Sequence, residues 1–354
     1  MIYLDHNSTT AISHAVVEKM NEIYGLKYLN PSSVHGYGLI AKKHLQNAKK
    51  LILASVNASS DYDCIFTASS TESNNLALNG KSIITTKTEH PSILNLPCET
   101  AFVEVDTNGF VKIDDLKKHA NFKKTISIIW ANNQTGVVQD LATLLTHKND
   151  CLFHTDATQY IGKLKIDLQK TPVDAITFCG HKIGGPHGVA CLVFKKTFPI
   201  NKIFYGGLQE NELRAGTYNL PSIVAFSHAV KIANDDEYLE KFQKHTQKFV
   251  KIIENFVLAN GGLVLPMHEK KVPNTVCIAK IGVLNSEQAI IMDMNNICIS
   301  IGSACHAGIS NTKSYVLQAM NYSDSIASSS IRISLGMENT AREIEKFCEI
   351  WKKM

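Results

Sequence analysis

The sequence predicts an α/β protein: a mostly parallel central sheet flanked by helices, with a smaller α+β unit after it. Three observations predict this. Seven short apolar segments, at 64–68, 82–88, 101–105, 125–131, 151–155, 175–178 and 189–194, alternate with helical pieces. Several are continuous Ile/Val/Phe runs rather than polar–apolar alternations, as expected of strands covered on both faces. The 354-residue chain exceeds one ordinary core, and a charged amphipathic helix from about 235 to 260 leads away from the alternation. A large unit is expected over residues 14–240 and a small one over 1–13 together with 241–354.

In chain order, an extended opening at 3–10 runs into cap-forming residues, and a helix follows over 13–24 with Ser13 as its N-cap. Residues 30–38, Asn-Pro-Ser-Ser-Val-His-Gly-Tyr-Gly, are turn-rich and polar, a loop by their chemistry. Ala41, Leu45, Ala48 and Ile52 behind it form a helical stripe. The strand and helix units come next, then the helix over 235–260, and the chain closes on an amphipathic helix over 340–353.

Composition excludes several classes. With 44% hydrophobic and 19% charged residues the chain is globular, and its net charge of +4 is too weak to argue for nucleic acid or a membrane surface. Lysine pairs at 42–43, 49–50 and 117–118 are expected on solvated helix faces. Asp5 stands where a signal peptide needs a basic and then an apolar region, and no run approaches the roughly 18 apolar residues of a membrane span, so a cytoplasmic protein is expected. The nine cysteines are scattered without a C-x-x-C pair, so neither a disulfide framework nor a metal site is expected, and most should be small buried residues.

Chemistry gathers at predicted strand ends. After the strand at 175–178 come Cys179-Gly180-His181-Lys182-Ile183-Gly184-Gly185-Pro186. The Gly-Gly-Pro break stops a helix and holds Lys182 on a bend, placed to form a Schiff base with an aldehyde; taken alone it reads sooner as a surface lysine beside a turn. Asp156 ends another apolar strand, where an acid is costly unless paired, and a protonated pyridine nitrogen would be a suitable partner. An acid for the ring nitrogen and a lysine for the aldehyde, one crossover apart, match the needs of pyridoxal phosphate. Ser70 and Thr71 open a helix after the strand at 64–68, and read either as part of a phosphate cup or as helix capping. His90, before Pro91, reads as a stacking or proton-carrying group or as a structural histidine. Asn132-Asn133-Gln134-Thr135-Gly136 reads by itself as a polar turn.

Taken together and in order, these stretches resemble the cysteine desulfurases of the NifS/IscS type, in the class V branch of fold-type I pyridoxal-phosphate enzymes. The resemblance runs from Tyr3 to about Met337. It rests on Tyr3-Leu4-Asp5-His6-Asn7-Ser8-Thr9-Thr10, Asn30-Pro31-Ser32-Ser33-Val34-His35, Thr71-Glu72-Ser73-Asn74-Asn75 and Thr88-Glu89-His90. It continues through Asn132-Asn133-Gln134-Thr135-Gly136, His154-Thr155-Asp156-Ala157-Thr158-Gln159, His181-Lys182 and Leu213-Arg214-Ala215-Gly216-Thr217. It ends with Gly302-Ser303-Ala304-Cys305 and Ser329-Ser330-Ile331-Arg332-Ile333-Ser334-Leu335-Gly336.

The resemblance implies fold type I and a homodimer. Lys182 would be the Schiff-base lysine, Asp156 the partner of the ring nitrogen, and His90 the residue that stacks on the ring and moves protons. Gln159 would contact the ring oxygen; Ser70, Thr71 and His181 would hold the phosphate, with Thr217 reaching in from the partner subunit. Asn133 and Arg332 would hold the carboxylate of L-cysteine. Cys305, in the small-residue stretch 300–308, would take the sulfur as a persulfide, release alanine, and pass the sulfur to an acceptor protein of iron–sulfur assembly or of RNA thiolation. Departures from the family pattern suggest a diverged paralogue. Cys179 stands in a serine position beside the phosphate, Leu208 and Asn211 replace glycine and arginine, and Gly184 stands where tyrosine is common. A related class V lyase or aminotransferase would not need Cys305. A catalytically weak paralogue with a binding or regulatory role would have no use for Lys182, Asp156, His90, Cys305 and Arg332 together.

Overall fold

The computed structural model describes residues 1–120, 124–302 and 313–354; Cys305 and His306 lie outside the described residues. The first strand, β1 (Ile2–Tyr3), is followed by seven that form one sheet: β2 (Tyr62–Thr67), β3 (Ile83–Thr86), β4 (Thr100–Val103), β5 (Thr125–Ser127), β6 (Leu152–Asp156), β7 (Ala175–Cys179) and β8 (Ala190–Lys195). Their spatial order is β2-β8-β7-β6-β5-β3-β4. The pairs among β7, β6, β5, β3 and β4 are parallel, whereas β8 runs antiparallel to both β7 and β2. The mixed character has a simple cause: residues 180–189 between β7 and β8 are too few for the crossover that a parallel neighbour requires.

Burial on both faces explains the continuous apolar runs. Cys64, Phe66, Ile176, Phe178, Cys191 and Val193 join the main core, while their neighbours Ile65, Ala175, Leu192 and Phe194 pack into a second cluster on the opposite face. Helices Gly36–Ser55 and His14–Tyr24 both pack on Leu220–Ala233. A third cluster, including Ile253, Val276, Ile331, Ile333, Phe347 and Trp351, surrounds a three-stranded antiparallel sheet of β9 (Leu263–Val264), β10 (Thr275–Ala279) and β12 (Ser330–Ser334). β1 pairs in parallel with β11 (Ile297–Cys298), so the N-terminal residues lie among the last third of the chain, with Asp5 bridged to Ser334.

Local expectations are corrected in several places. The segment read as a loop to residue 38 turns helical at Gly36, with His35 Nδ1 accepting from Gly38 N at 3.4 Å. Gly38 is in the first turn because a Cβ there would lie 2.0 Å from the Ser33 carbonyl oxygen. Ser13 is the N-cap residue of the first helix, but its side chain makes no cap bond. The ladder of β5 ends at Ser127, though Ile128 N and Trp130 N still donate to His154 O and Asp156 O at 3.2 and 2.9 Å. Lys49 is not on a solvated face, since it turns inward to pair with the buried Glu210. Of the eight cysteines described, six are buried, as expected of small apolar residues.

Candidate active site

Parallel strands end on one edge of the sheet, and the loops beyond those ends assemble the site. Asp156 is the last residue of β6 and is 3% exposed. Asn74 Nδ2 donates to its Oδ2 at 2.7 Å and Thr158 N donates to its Oδ1 at 2.9 Å. Two donors hold the carboxylate in place without supplying a positive charge.

The turn after β7 carries His181 and Lys182. It is folded tightly: Gly185 N donates to Gly180 O at 2.9 Å, and a Cβ on Gly180 would meet the Pro186 carbonyl oxygen at 2.6 Å. The N-terminal segment braces the turn, Thr10 N donating to His181 O and Ser13 N to Gly184 O, each at 2.9 Å. Among the described residues the Lys182 amine makes no ion pair or hydrogen bond, although the residue is only partly exposed. It is on the wall of a cavity of about 360 Å³ shared with His6, Thr10 and Lys163.

The helix Ser70–Leu78 follows β2, and here the two readings of its first residues separate. The capping oxygen is that of Ser69, which accepts from Glu72 N at 3.2 Å, so neither Ser70 nor Thr71 is spent on the cap. Ser70 Oγ turns inward to Thr158 Oγ1 at 2.7 Å, and Thr71 is exposed. Cys179, buried at the end of β7, places its thiol beside Ser70, and burial holds that thiol above its ordinary range. His181 has a buried Nδ1 without a partner among the described residues. Its imidazole is pushed down to about 4 by burial, with Lys182 and His187 adding to the effect.

His90 precedes the helical turn Pro91–Leu94, where its Nδ1 accepts from Ser92 N at 3.1 Å. With Nδ1 used as an acceptor, the ring proton is on Nε2 in the neutral form. Burial lowers the His90 pKa, Lys182 lowers it further, and Asp156 opposes both.

A second group of side chains surrounds Arg332, in the middle of β12 and 2% exposed. Its guanidinium bonds Asp5 Oδ1 at 2.5 Å, Ser8 Oγ at 3.0 Å and the Asn133 carbonyl at 2.9 Å, while Nε has no partner among the described residues. The Asn133 side chain is placed similarly, its Oδ1 buried without a partner there. Gln159 Nε2 donates to Asn7 O at 2.9 Å and its Oε1 accepts from Lys163 Nζ at 2.5 Å.

Asp156, His90, Lys182, His181, Cys179 and Ser70 are therefore brought together, while Asn133 and Arg332 meet on the side of the N-terminal segment. Thr217 is not brought to them: it is exposed on a segment tied to the helix start by Arg214, whose Nε donates to Glu72 Oε1 at 2.7 Å. Four supporting residues escaped sequence reasoning: Asn74, Thr158, Lys163 and Glu89. Glu89 is fully buried, and burial raises its carboxyl pKa well above the usual range. For Asn74, Thr158 and Glu89 the available signal was their position inside the motif stretches, where polar residues look alike until their partners are known; Lys163 lies outside those stretches.

Two buried histidines, His6 and His154, and the partly exposed His181 are expected to make the fold acid-labile. His6 is pushed down to about 4 by burial and then by Lys163, His181 to about 4, and burial lowers His154 as well. Their pKa values lie below the usual 6.5 of an unfolded histidine, so the unfolded chain binds more protons between pH 6.5 and about 4. Stability should fall as pH is lowered through that window. A urea-unfolding midpoint that stays level from pH 7 to about pH 4.5 would contradict this.

Comparison with known proteins agrees with this geometry. The family model described as Aminotransferase class-V matches residues 2–347. Cysteine desulfurase IscS of Dictyoglomus turgidum is 32% identical over 379 residues, covering 100% of this chain and 94% of the relative. Putative cysteine desulfurase IscS 1 of Bacillus subtilis is 33% identical, covering 97% of this chain and 96% of the relative. Among solved structures, a NifS-like protein from Rickettsia africae superposes with a TM-score of 0.91 at 33% identity, covering 100% and 99% of the two chains. SspA in complex with cysteine superposes at 0.81 and 26% identity, covering 96% and 100%. The strand-end acid, the lysine on the bend and the orphaned His181 nitrogen fit pyridoxal phosphate, the cofactor this family uses. The chain belongs to the class V aminotransferase family, with IscS- and NifS-like cysteine desulfurases as its relatives.

Proposed function

We propose that the protein is a cysteine desulfurase that removes sulfur from L-cysteine, releases L-alanine and holds the sulfur as a persulfide on Cys305. The observation that carries this reading is a lysine amine without an ion pair among the described residues, one strand away from a buried carboxylate, in a chain whose desulfurase relatives it matches end to end. Pyridoxal phosphate, when bound, supplies an aldehyde for the amine and an electron-withdrawing ring. Lys182 would hold the aldehyde and Asp156 the ring nitrogen, while Ser70, Thr71, Cys179 and His181 would surround the phosphate with Thr217 of the second copy. Gln159 would donate to the ring oxygen.

Arg332 and Asn133 would receive the substrate carboxylate, the unpartnered Nε offering a donor. Because Nδ1 of His90 is held by Ser92, Nε2 is the nitrogen left to exchange a proton with substrate. The overall step balances: the carbon–sulfur bond of cysteine breaks, a sulfur–sulfur bond forms on Cys305, and alanine leaves with the hydrogen count of cysteine. Residues 14–240 would then be the cofactor-binding unit, and 1–13 with 241–354 the smaller one. A homodimer is supported by the exposed apolar side chains of Tyr24, Tyr28, Tyr37, Leu39 and Ile40. The sulfur would pass in the cytoplasm to an acceptor protein, an iron–sulfur scaffold or an RNA-thiolation carrier. No helix among the described residues is long and apolar enough to cross a membrane.

The test is product analysis of purified protein given pyridoxal phosphate, L-cysteine and a reductant. Alanine and sulfide are expected in equal amounts. Turnover without sulfide would make it another class V lyase or aminotransferase, and failure to develop any visible absorbance with cofactor would overturn the enzymatic reading.

A further inference from the structure

Lys163 is the one member of this cluster to which neither the motifs nor the proposed chemistry gives a task. Its side chain is 4% exposed. It pairs with no carboxylate among the described residues; Nζ donates instead to Asn7 Oδ1 and Gln159 Oε1, each at 2.5 Å. A buried lysine with two amide oxygens as its partners is an unusual choice for stability alone, because the desolvation is offset by no counter-charge. Burial, then Lys182 and Arg332, hold its pKa well below the usual range. In either protonation state the amine has N–H bonds enough for the two oxygens that face it.

What the amine does is set by the symmetry of an amide. The two ends of Asn or Gln are nearly equal in shape, so a neighbour must decide which end faces which way. Lys163 fixes the oxygen of Gln159 toward itself, so that Nε2 points to Asn7 O at 2.9 Å with its second N–H left over. With Asn274 Nδ2, which donates to the same oxygen at 3.4 Å, it holds the oxygen of Asn7, so that Nδ2 donates to Thr275 Oγ1 at 2.8 Å and to the Asn133 carbonyl at 3.3 Å. That carbonyl also accepts from Arg332.

We propose that Lys163 is a positioning residue that orients two amides from one buried amine, presenting the N–H edge of Gln159 to the cofactor's ring oxygen and Asn7 to the loop that seats Arg332. This rests on the cofactor reading above. The charged and titratable groups around it are Lys182, Arg332 and His6.

The experiment titrates the visible band of the pyridoxal-phosphate holoenzyme against pH in four proteins: native, Lys163→Met, Gln159→Leu and the double variant. Loss of an oriented donor leaves the ring oxygen more basic, so the band's midpoint should rise in Lys163→Met by at least about 0.5 pH unit, about threefold in the equilibrium constant. Gln159→Leu should show a similar rise, and the double variant no more than either single one. An unmoved midpoint in Lys163→Met, or shifts that add in the double variant, would overturn the proposal. If Lys163→Met does not fold, Lys163→Gln, which keeps N–H donors on a shorter side chain, should give a smaller rise in the same direction, and an unmoved midpoint there counts equally against it. Neutron crystal structures of the deuterated, cofactor-free native and variant proteins, which tell an amide nitrogen from its oxygen, provide a readout independent of the cofactor. With Lys163 replaced, the Gln159 amide should lose its native orientation, and an unchanged amide would overturn the proposal. A native protein that forms no visible band would instead sink the cofactor reading, leaving the orientation of Gln159 to be judged from those structures.

Discussion

Lys182→Ala is expected to give a folded protein that shows none of the visible absorbance of lysine-bound pyridoxal phosphate and turns over L-cysteine at least about 10³-fold more slowly. The fold should survive because the amine makes no ion pair or hydrogen bond among the described residues, so its removal strands no buried partner there. The chemistry should not, because no other lysine sits on that bend. The amine of Lys163, which lines the same cavity, is engaged by Asn7 and Gln159. Cys305→Ala separates the two halves of the proposed reaction: it should keep the absorbance and lose sulfide production. A band retained in Lys182→Ala would refute the assignment of the lysine, and sulfide production retained in Cys305→Ala would refute that of the sulfur carrier.

Asp5→Ala should cost about 3 kcal/mol of stability, the lower end of what breaking a buried pair costs, since Asp5 itself is partly exposed. The substitution leaves the Arg332 guanidinium, 2% exposed, with the Ser8 hydroxyl and the Asn133 carbonyl but no counter-charge. It also loosens the joint between the N-terminal segment and β12, where Asp5 bridges Ser334. Asp5→Asn keeps an acceptor at the same place and should lose less. Urea-unfolding midpoints of the three cofactor-free proteins measure the difference, and an Asp5→Ala midpoint indistinguishable from native would remove Asp5 as the anchor of Arg332.

Several of the seven strands were legible because burial on both faces leaves an apolar run, as at Cys64–Phe66, Ala175–Phe178 and Cys191–Val193, whereas the edge strand β4, with Phe102 exposed, is less marked. Strand direction was not, because direction depends on connection length, and the ten residues between β7 and β8 read as a turn without revealing that β8 reverses. Lys49 shows the same limit on a smaller scale. Beside Lys50 on a helix it looks like any solvated lysine, and only its partner Glu210, 161 residues later, explains why it turns inward. The start of the helix at Gly36 was hidden for a related reason, since glycine is read as loop until the close approach of Ser33 is known.

At the candidate site, residue chemistry alone pointed to Asp156 and Lys182 and offered His90, Ser70 and Thr71, because polar groups at the ends of apolar strands stand out against their surroundings; His181 entered only through the resemblance. Which hydroxyl caps the helix and which faces inward, and which end of the Gln159 amide points to the cleft, were decided by contacts between distant parts of the chain. Ser69 against Ser70, and Lys163 against Gln159 and Asn7, are choices among chemically similar atoms. Local pattern carries the strand, the turn and the identity of a reactive group. Orientation of that group is a property of the neighbours that long-range packing delivers.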